Sequence, residues 1–91
     1  MDDAQIEIAK QDAETFQVTV RAKRTTVHTV TLRQNAYERL AGGKITPEKL
    51  IEKSFEFLLE RESNTSILSR FELPVIARYF PEYEKTIVKR L

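Results

Sequence analysis

The segment from Pro47 to about Glu62 constrains the fold of this chain more than any other, because its apolar residues spread too widely for an ordinary surface helix. Thr46 can cap this helix, and Pro47 suits its first turn. At about 100° per residue, the apolar positions cover an arc of roughly 200°, wider than the stripe of a surface helix. They are Leu50, Ile51, Phe55, Phe57, Leu58 and Leu59. The helix must therefore contact more than one neighbouring element.

Alternating apolar and polar residues predict two strands before this helix. The first covers Phe16 to Val20 and the second Val27 to Arg33. One self-consistent register leaves a loop at 23–25 and places six side chains on one face of a β-hairpin. Its pairs are Val20 with His28, Val18 with Val30, and Phe16 with Leu32.

Further helices are predicted on both sides of the long one. A short helix capped by Asn35 ends at Gly42 and Gly43, since glycine accepts the left-handed conformation that closes many helices. Beyond Glu62, one short helix carries Ile67, Leu68 and Phe71, and two more helical segments open at Pro74 and Pro81. The predicted fold class is α+β: an N-terminal β-hairpin followed by three to four helices, in a single domain over residues 15–91.

Residues 1–14 precede this domain and are acidic. Ile6 and Ile8 alternate with polar residues, which is compatible with a short third strand or with an isolated apolar pair in a tail. We predict a flexible acidic tail over residues 1–14.

The amino-acid composition favours a reducing cellular compartment. The chain has 91 residues, 41% of them hydrophobic and 32% charged, which is typical of a globular protein, and its net charge of +1 indicates no particular partner. It contains no cysteine, which excludes disulfides and thiolate chemistry and is common in reducing compartments. No apolar run approaches the ~18 residues of a membrane span, and the acidic start is unlike a signal peptide. We predict a cytoplasmic protein with no membrane partner.

Few residues are available for catalysis. His28 is the only histidine, and no second ligand stands at a metal-binding spacing from it. Gly42-Gly43-Lys44 lacks the first glycine and the Ser/Thr of a phosphate-binding loop. We predict no catalytic, metal-binding or cofactor-binding residues, and a protein that is not an enzyme.

Aromatic residues stand close in sequence to the carboxylates Glu82 and Glu84. They are Tyr79, Phe80 and Tyr83. Such a stretch forms either a small binding surface or, more often, an anchor in the core with solvated charges beside it.

Charge is divided unevenly along the chain. Residues 1–20 hold five acidic residues against one lysine, and residues 21–40 hold five basic residues against one glutamate. Basic residues on the hairpin can contact nucleic-acid phosphates, although they also serve to block the pairing of strand edges. The candidate nucleic-acid contacts are Arg21, Lys23, Arg24, Thr29, Thr31 and Arg33.

The order of elements from Val27 onwards resembles that of a ribbon-helix-helix DNA-binding domain. A strand, a helix, the Gly42-Gly43 turn and the helix from Pro47 follow one another. In that family, strands from two subunits pair in the major groove. The resemblance implies that Thr29, Thr31 and Arg33 face the bases, and that the apolar arc of the long helix is partly a dimer interface.

A longer stretch resembles a group of small bacterial proteins of uncharacterised function. The matching runs are GGKITPEKLI at 42–51, SFEFLLERE at 54–62, SIL at 66–68 and RYFPEY at 78–83, with Phe71, Leu73, Val75 and Ile76 between the last two. This resemblance implies a bacterial cytoplasmic protein and carries no activity to transfer.

Two functions follow from these observations. The leading prediction is a non-enzymatic binding or protein-interaction module, because the apolar arc exceeds what a small monomer is expected to cover. Its partner is another protein or a second copy in a homodimer, contacted through Leu50, Phe57 and Leu58. The alternative is a ribbon-helix-helix-like transcriptional regulator that binds DNA.

Overall fold

The structure, a computed structural model, describes residues 4–91 and confirms the α+β class. Its elements are β1 (Gln5–Lys10), β2 (Thr15–Arg21), β3 (Thr25–Thr31), α1 (Gln34–Ala41), α2 (Pro47–Leu59), β4 (Arg70–Glu72), α3 (Ile76–Tyr79) and α4 (Tyr83–Lys89). Two 3₁₀ turns lie at Asn64–Ser66 and Leu73–Val75. The strands form one four-stranded mixed sheet in the order β1-β2-β3-β4. The predicted simple hairpin is therefore only the centre of a larger sheet.

Strand β1 corrects the prediction of a tail over residues 1–14. Residues 5–10 pair antiparallel with β2, with Ile6 opposite Val20 and Ile8 opposite Val18. The two isoleucines thus lie on the core face. Burial of their side chains offsets the conformational entropy that the segment loses when it becomes ordered. Asp12 shapes the turn into β2, since its Oδ1 accepts hydrogen bonds from the backbone N–H groups of Glu14 (3.0 Å) and Thr15 (2.9 Å). Residues 1–3 of the predicted tail lie outside the described residues.

The register of β2 and β3 differs from the predicted one by two residues. The observed pairs are Phe16 with Val30, Val18 with His28, and Val20 with Thr26. The connecting loop covers residues 22–24 instead of 23–25. A shift of two residues leaves every side chain on its predicted face, so alternation alone cannot distinguish the two registers.

Strand β4 replaces the short helix predicted at Ile67–Phe71. It pairs in parallel with β3, placing Phe71 beside Val30. The connection between them runs through α1 and α2, as a parallel crossover requires. As a result, β3 is hydrogen-bonded on both edges within its own chain.

The helix boundaries follow local signals closely. Helix α1 begins at Gln34, one residue before the predicted cap, and ends before Gly42, which has the left-handed φ of +57°. Thr46 caps α2 as predicted: its Oγ1 accepts from the backbone N–H of Lys49 at 3.1 Å. None of the described helices is long and apolar enough to cross a membrane.

Helix α2 lies at the centre of the core, contacting β1, α1 and α4. Its Phe55 packs on His28 of β3, and its Phe57 packs on Tyr83 of α4, with ring centroids 5.4 Å and 5.3 Å apart. The expectation that α2 contacts more than one neighbour is confirmed. The residues predicted as an interface on this helix are buried within the chain instead of exposed on its surface. Leu50, Phe57 and Leu58 are 0%, 0% and 3% exposed.

Candidate functional site

An apolar groove of about 300 Å³ lies between the C-terminal end of α2, the segment leading into β4, and α3. Its floor consists of buried apolar side chains from α2, β4, α3 and the segment that leads into β4. These are Leu58, Ile67, Phe71 and Ile76. The floor is continuous with the hydrophobic core, so its shape is set by the packing of the fold.

Two large apolar side chains stand exposed on the rim of this groove. Leu68 is 44% exposed and Tyr79 is 63% exposed. Val75 and Phe80 complete the rim and are half-buried. An apolar rim above an apolar floor is a contiguous surface of the kind that marks binding sites, whereas single exposed apolar residues are ordinary.

The polar side chains of the groove are Glu62 and Ser66. Glu62 is half-buried just beyond the end of α2, and burial raises the pKa of its carboxyl group. No ion pair within residues 4–91 involves this carboxylate, whereas the adjacent Arg61 pairs with Glu60 (3.3 Å) and Glu82 (3.1 Å). The groove therefore combines an apolar lining with a single acidic group.

A buried hydrogen-bond network fastens the groove wall formed by residues 66–68 to the sheet. The Nδ1 atom of His28 lies 2.7 Å from the carbonyl oxygen of Leu68, and its Nε2 atom lies 2.8 Å from Oγ1 of Thr26. The amide of Asn64 donates to the same Oγ1 at 2.8 Å and to the carbonyl of Arg24, also at 2.8 Å. Since a carbonyl can only accept, Nδ1 carries the proton and the Thr26 hydroxyl donates to Nε2. His28 is thus a positioning residue of the core.

The predicted nucleic-acid contacts do not converge on one site. Arg21 pairs with Glu7 and Arg33 pairs with Glu72, each at 3.0 Å, at opposite ends of the sheet. Thr29 lies on the outer face of β3, away from the core. The remaining candidates are Thr31 on the same face and the exposed Lys23 and Arg24 in the β2–β3 loop. The two ion pairs leave little net positive charge on the strands themselves.

The sheet also lacks the free strand edge that a ribbon-helix-helix dimer uses. Strand β3 would have to pair with its counterpart in a second subunit, but β2 and β4 occupy both of its edges. The resemblance in element order therefore does not extend to this arrangement.

The residues around Glu82 and Glu84 lie partly in the core, partly on the surface and partly in the groove. Glu82 pairs with Arg61, Glu84 pairs with Arg39, and Tyr83 is fully buried. The neighbouring Tyr79 and Phe80 line the groove. Sequence reasoning thus singled out three groove residues: Leu58 in the predicted helix interface, and Tyr79 and Phe80 in this stretch. It missed Glu62 and Ser66, which no local motif marks.

Comparison with protein-family models, with curated proteins and with solved structures gave no match. Within residues 4–91, no group of three or more His, Cys, Asp or Glu residues could hold a metal ion. The resemblance of residues 42–83 to small bacterial proteins stays a prediction.

Proposed function

We propose that this protein is a non-enzymatic interaction module whose groove receives a short apolar segment of a partner polypeptide. The observation that carries this proposal is the pair of exposed rim residues, Leu68 and Tyr79, above a buried apolar floor. A partner that covers them removes apolar surface from water, which is the main source of affinity in such contacts. The cysteine-free sequence favours a cytoplasmic setting.

A polypeptide suits the groove better than a small metabolite. Its volume of about 300 Å³ is at the lower end of the range of roughly 300–1,000 Å³ for small-molecule sites. Such sites also bury most of their ligand, whereas Tyr79 here stands mainly in solvent. Two or three apolar anchors of a helix or an extended segment would fill the floor and cover the rim.

The expected affinity is modest. A groove of this size covers less area than the standard interface of about 1,600 Å². Weak, transient complexes are usual below about 1,200 Å². We therefore expect a dissociation constant in the micromolar range, about 8 kcal/mol of binding free energy at 1 μM.

Selection from a phage-displayed library of short random peptides tests this function. The rim-depleted protein carries Leu68→Ser and Tyr79→Ser, and the matched control carries Val88→Ser, an exposed apolar residue outside the groove. Peptides enriched on the wild type should bind the control equally well and the rim-depleted protein about 10-fold or more weakly. If no peptide is enriched, or if enriched peptides bind all three proteins alike, the groove is not the binding site.

A further inference from the structure

We infer that Glu62 selects a partner segment that carries a lysine or arginine beside its apolar anchors. This inference rests on the proposed function, since it names the chemistry of the segment that the groove would accept. Glu62 determines specificity in this account, because its negative charge complements a positive charge on the bound segment.

The position of Glu62 sets this preference. Glu62 belongs to the groove lining, together with Leu58 of the floor and Ser66 of the wall. The other lining residues are uncharged, so this carboxylate supplies the charge of the site. A segment that fills the groove would therefore contact Glu62.

The carboxylate has kept its capacity to accept hydrogen bonds. By contrast, Glu60 and Glu82 are paired with Arg90 (2.8 Å) and Arg61 (3.1 Å). No ion pair within residues 4–91 engages Glu62, and burial alone raises the pKa of its carboxyl group. The Glu62 side chain is therefore already partly dehydrated before any partner arrives.

Docking of an apolar segment would remove more water from this carboxylate. Without a counter-charge, the loss of hydration opposes binding. A lysine ammonium or an arginine guanidinium would replace the lost water with charge-assisted hydrogen bonds. From the usual strength of hydrogen bonds to charged groups, we expect the groove to bind a basic segment about 10–100-fold more tightly than a neutral one of the same shape.

Parallel peptide selections on the wild type and on Glu62→Gln test the inference. Glutamine keeps the size and polarity of the side chain and removes the charge. The matched control is Glu56→Gln, at an exposed glutamate of α2 that does not line the groove. Peptides selected on the wild type and on Glu56→Gln should share a basic residue next to apolar anchors, and those selected on Glu62→Gln should lack it.

Fluorescence anisotropy then compares one enriched peptide with a version in which norleucine replaces lysine. On the wild type, the replacement should weaken binding about 10-fold or more, and on Glu62→Gln the two peptides should bind about equally. If groove-dependent peptides carry no basic residue, or if both proteins discriminate alike, the inference is overturned while the interaction module stands. If enrichment does not depend on Leu68 and Tyr79, both proposals fail.

Discussion

The Nδ1 atom of His28 lies 2.7 Å from the carbonyl oxygen of Leu68, so a strand at the centre of the sheet holds one wall of the groove in place. The backbone of Leu68 is thereby fixed while its side chain stands in solvent at the rim. The side chain of Leu68 is therefore presented to a partner by a segment that is already ordered before binding. Such preorganisation lowers the entropic cost of binding.

Replacement of His28 by alanine should loosen this wall. The variant loses two hydrogen bonds and the packing of the ring on Phe55, and it leaves the Leu68 carbonyl unpaired. We expect a loss of about 2–4 kcal/mol in the free energy of unfolding, measured by urea denaturation. Val27→Ala, at an exposed position of the same strand, is the control and should change it by less than about 0.5 kcal/mol. Equal losses in both variants would contradict the assigned role of His28.

Asn64 should be the second support of the same wall. Its side-chain amide donates to Oγ1 of Thr26 and to the carbonyl of Arg24, so Asn64→Ala removes the donor from two partly buried hydrogen bonds. We expect a loss of about 1–3 kcal/mol in the free energy of unfolding. Thr65→Ala, at the exposed neighbour, is the matched control. Amide hydrogen exchange should be faster for residues 66–68 in Asn64→Ala than in the control; unchanged exchange would contradict this account.

Tyr83 should make the protein sensitive to alkali. Burial is the main cause that raises the pKa of its phenol above the ordinary value of 10.0. A group with a raised folded-state pKa contributes stability that is complete below its unfolded-state pKa and is lost as the pH rises. The free energy of unfolding should therefore fall above about pH 10, with this group contributing up to about 1.4 kcal/mol per pH unit.

Tyr83→Phe separates this effect from the titration of surface groups. The hydroxyl of Ser54 donates to the carbonyl of Leu50, so Tyr83 donates to Ser54 and its loss orphans no donor. At neutral pH the variant should lose only about 0.5–1.5 kcal/mol. As the pH rises above about 10, the free energy of unfolding should fall less steeply for Tyr83→Phe than for the wild type or for the exposed control Tyr79→Phe. If the free energy of unfolding falls equally in all three proteins, Tyr83 is not the source of the sensitivity to alkali.

Glu62→Gln should stabilise the free protein at neutral pH. Because burial raises the pKa of this carboxyl group, its stabilising contribution is complete below the unfolded-state value near 4.5 and is lost as the pH rises through the folded-state value. The melting temperature of the variant relative to the wild type should thus be higher near pH 7 than below about pH 4. Glu56→Gln, at an exposed position of α2, is the matched control. A variant that is less stable at neutral pH would indicate that an internal partner satisfies Glu62.

Sequence patterns identified the strand faces, the end of α1 at Gly42 and the start of α2 at Thr46, but they identified long-range partners poorly. The alternation at Phe16, Val18 and Val20 identified the buried face of β2, but it could not distinguish registers that differ by two residues. The wide apolar arc of α2 correctly required several neighbours. It could not show that β1 and α4 cover the arc, because that depends on where distant segments return.

The groove could not be predicted for the same reason. Its floor combines Leu58, Ile67, Phe71 and Ile76, which lie in three elements and one connecting segment and share no common period. Glu62 was indistinguishable in sequence from the solvated glutamates of α2. Only the fold places it among apolar side chains.

The most direct test of the groove as the binding site is a ¹H–¹⁵N NMR titration of the labelled protein with a peptide enriched on the wild type. Shift changes should concentrate at Glu62, at residues 66–68 and at residues 75–80. The same titration of the Leu68→Ser, Tyr79→Ser protein should show much smaller changes. Changes centred instead on the outer face of the sheet, at Thr29 and Thr31, would contradict the assignment of the groove as the site of interaction.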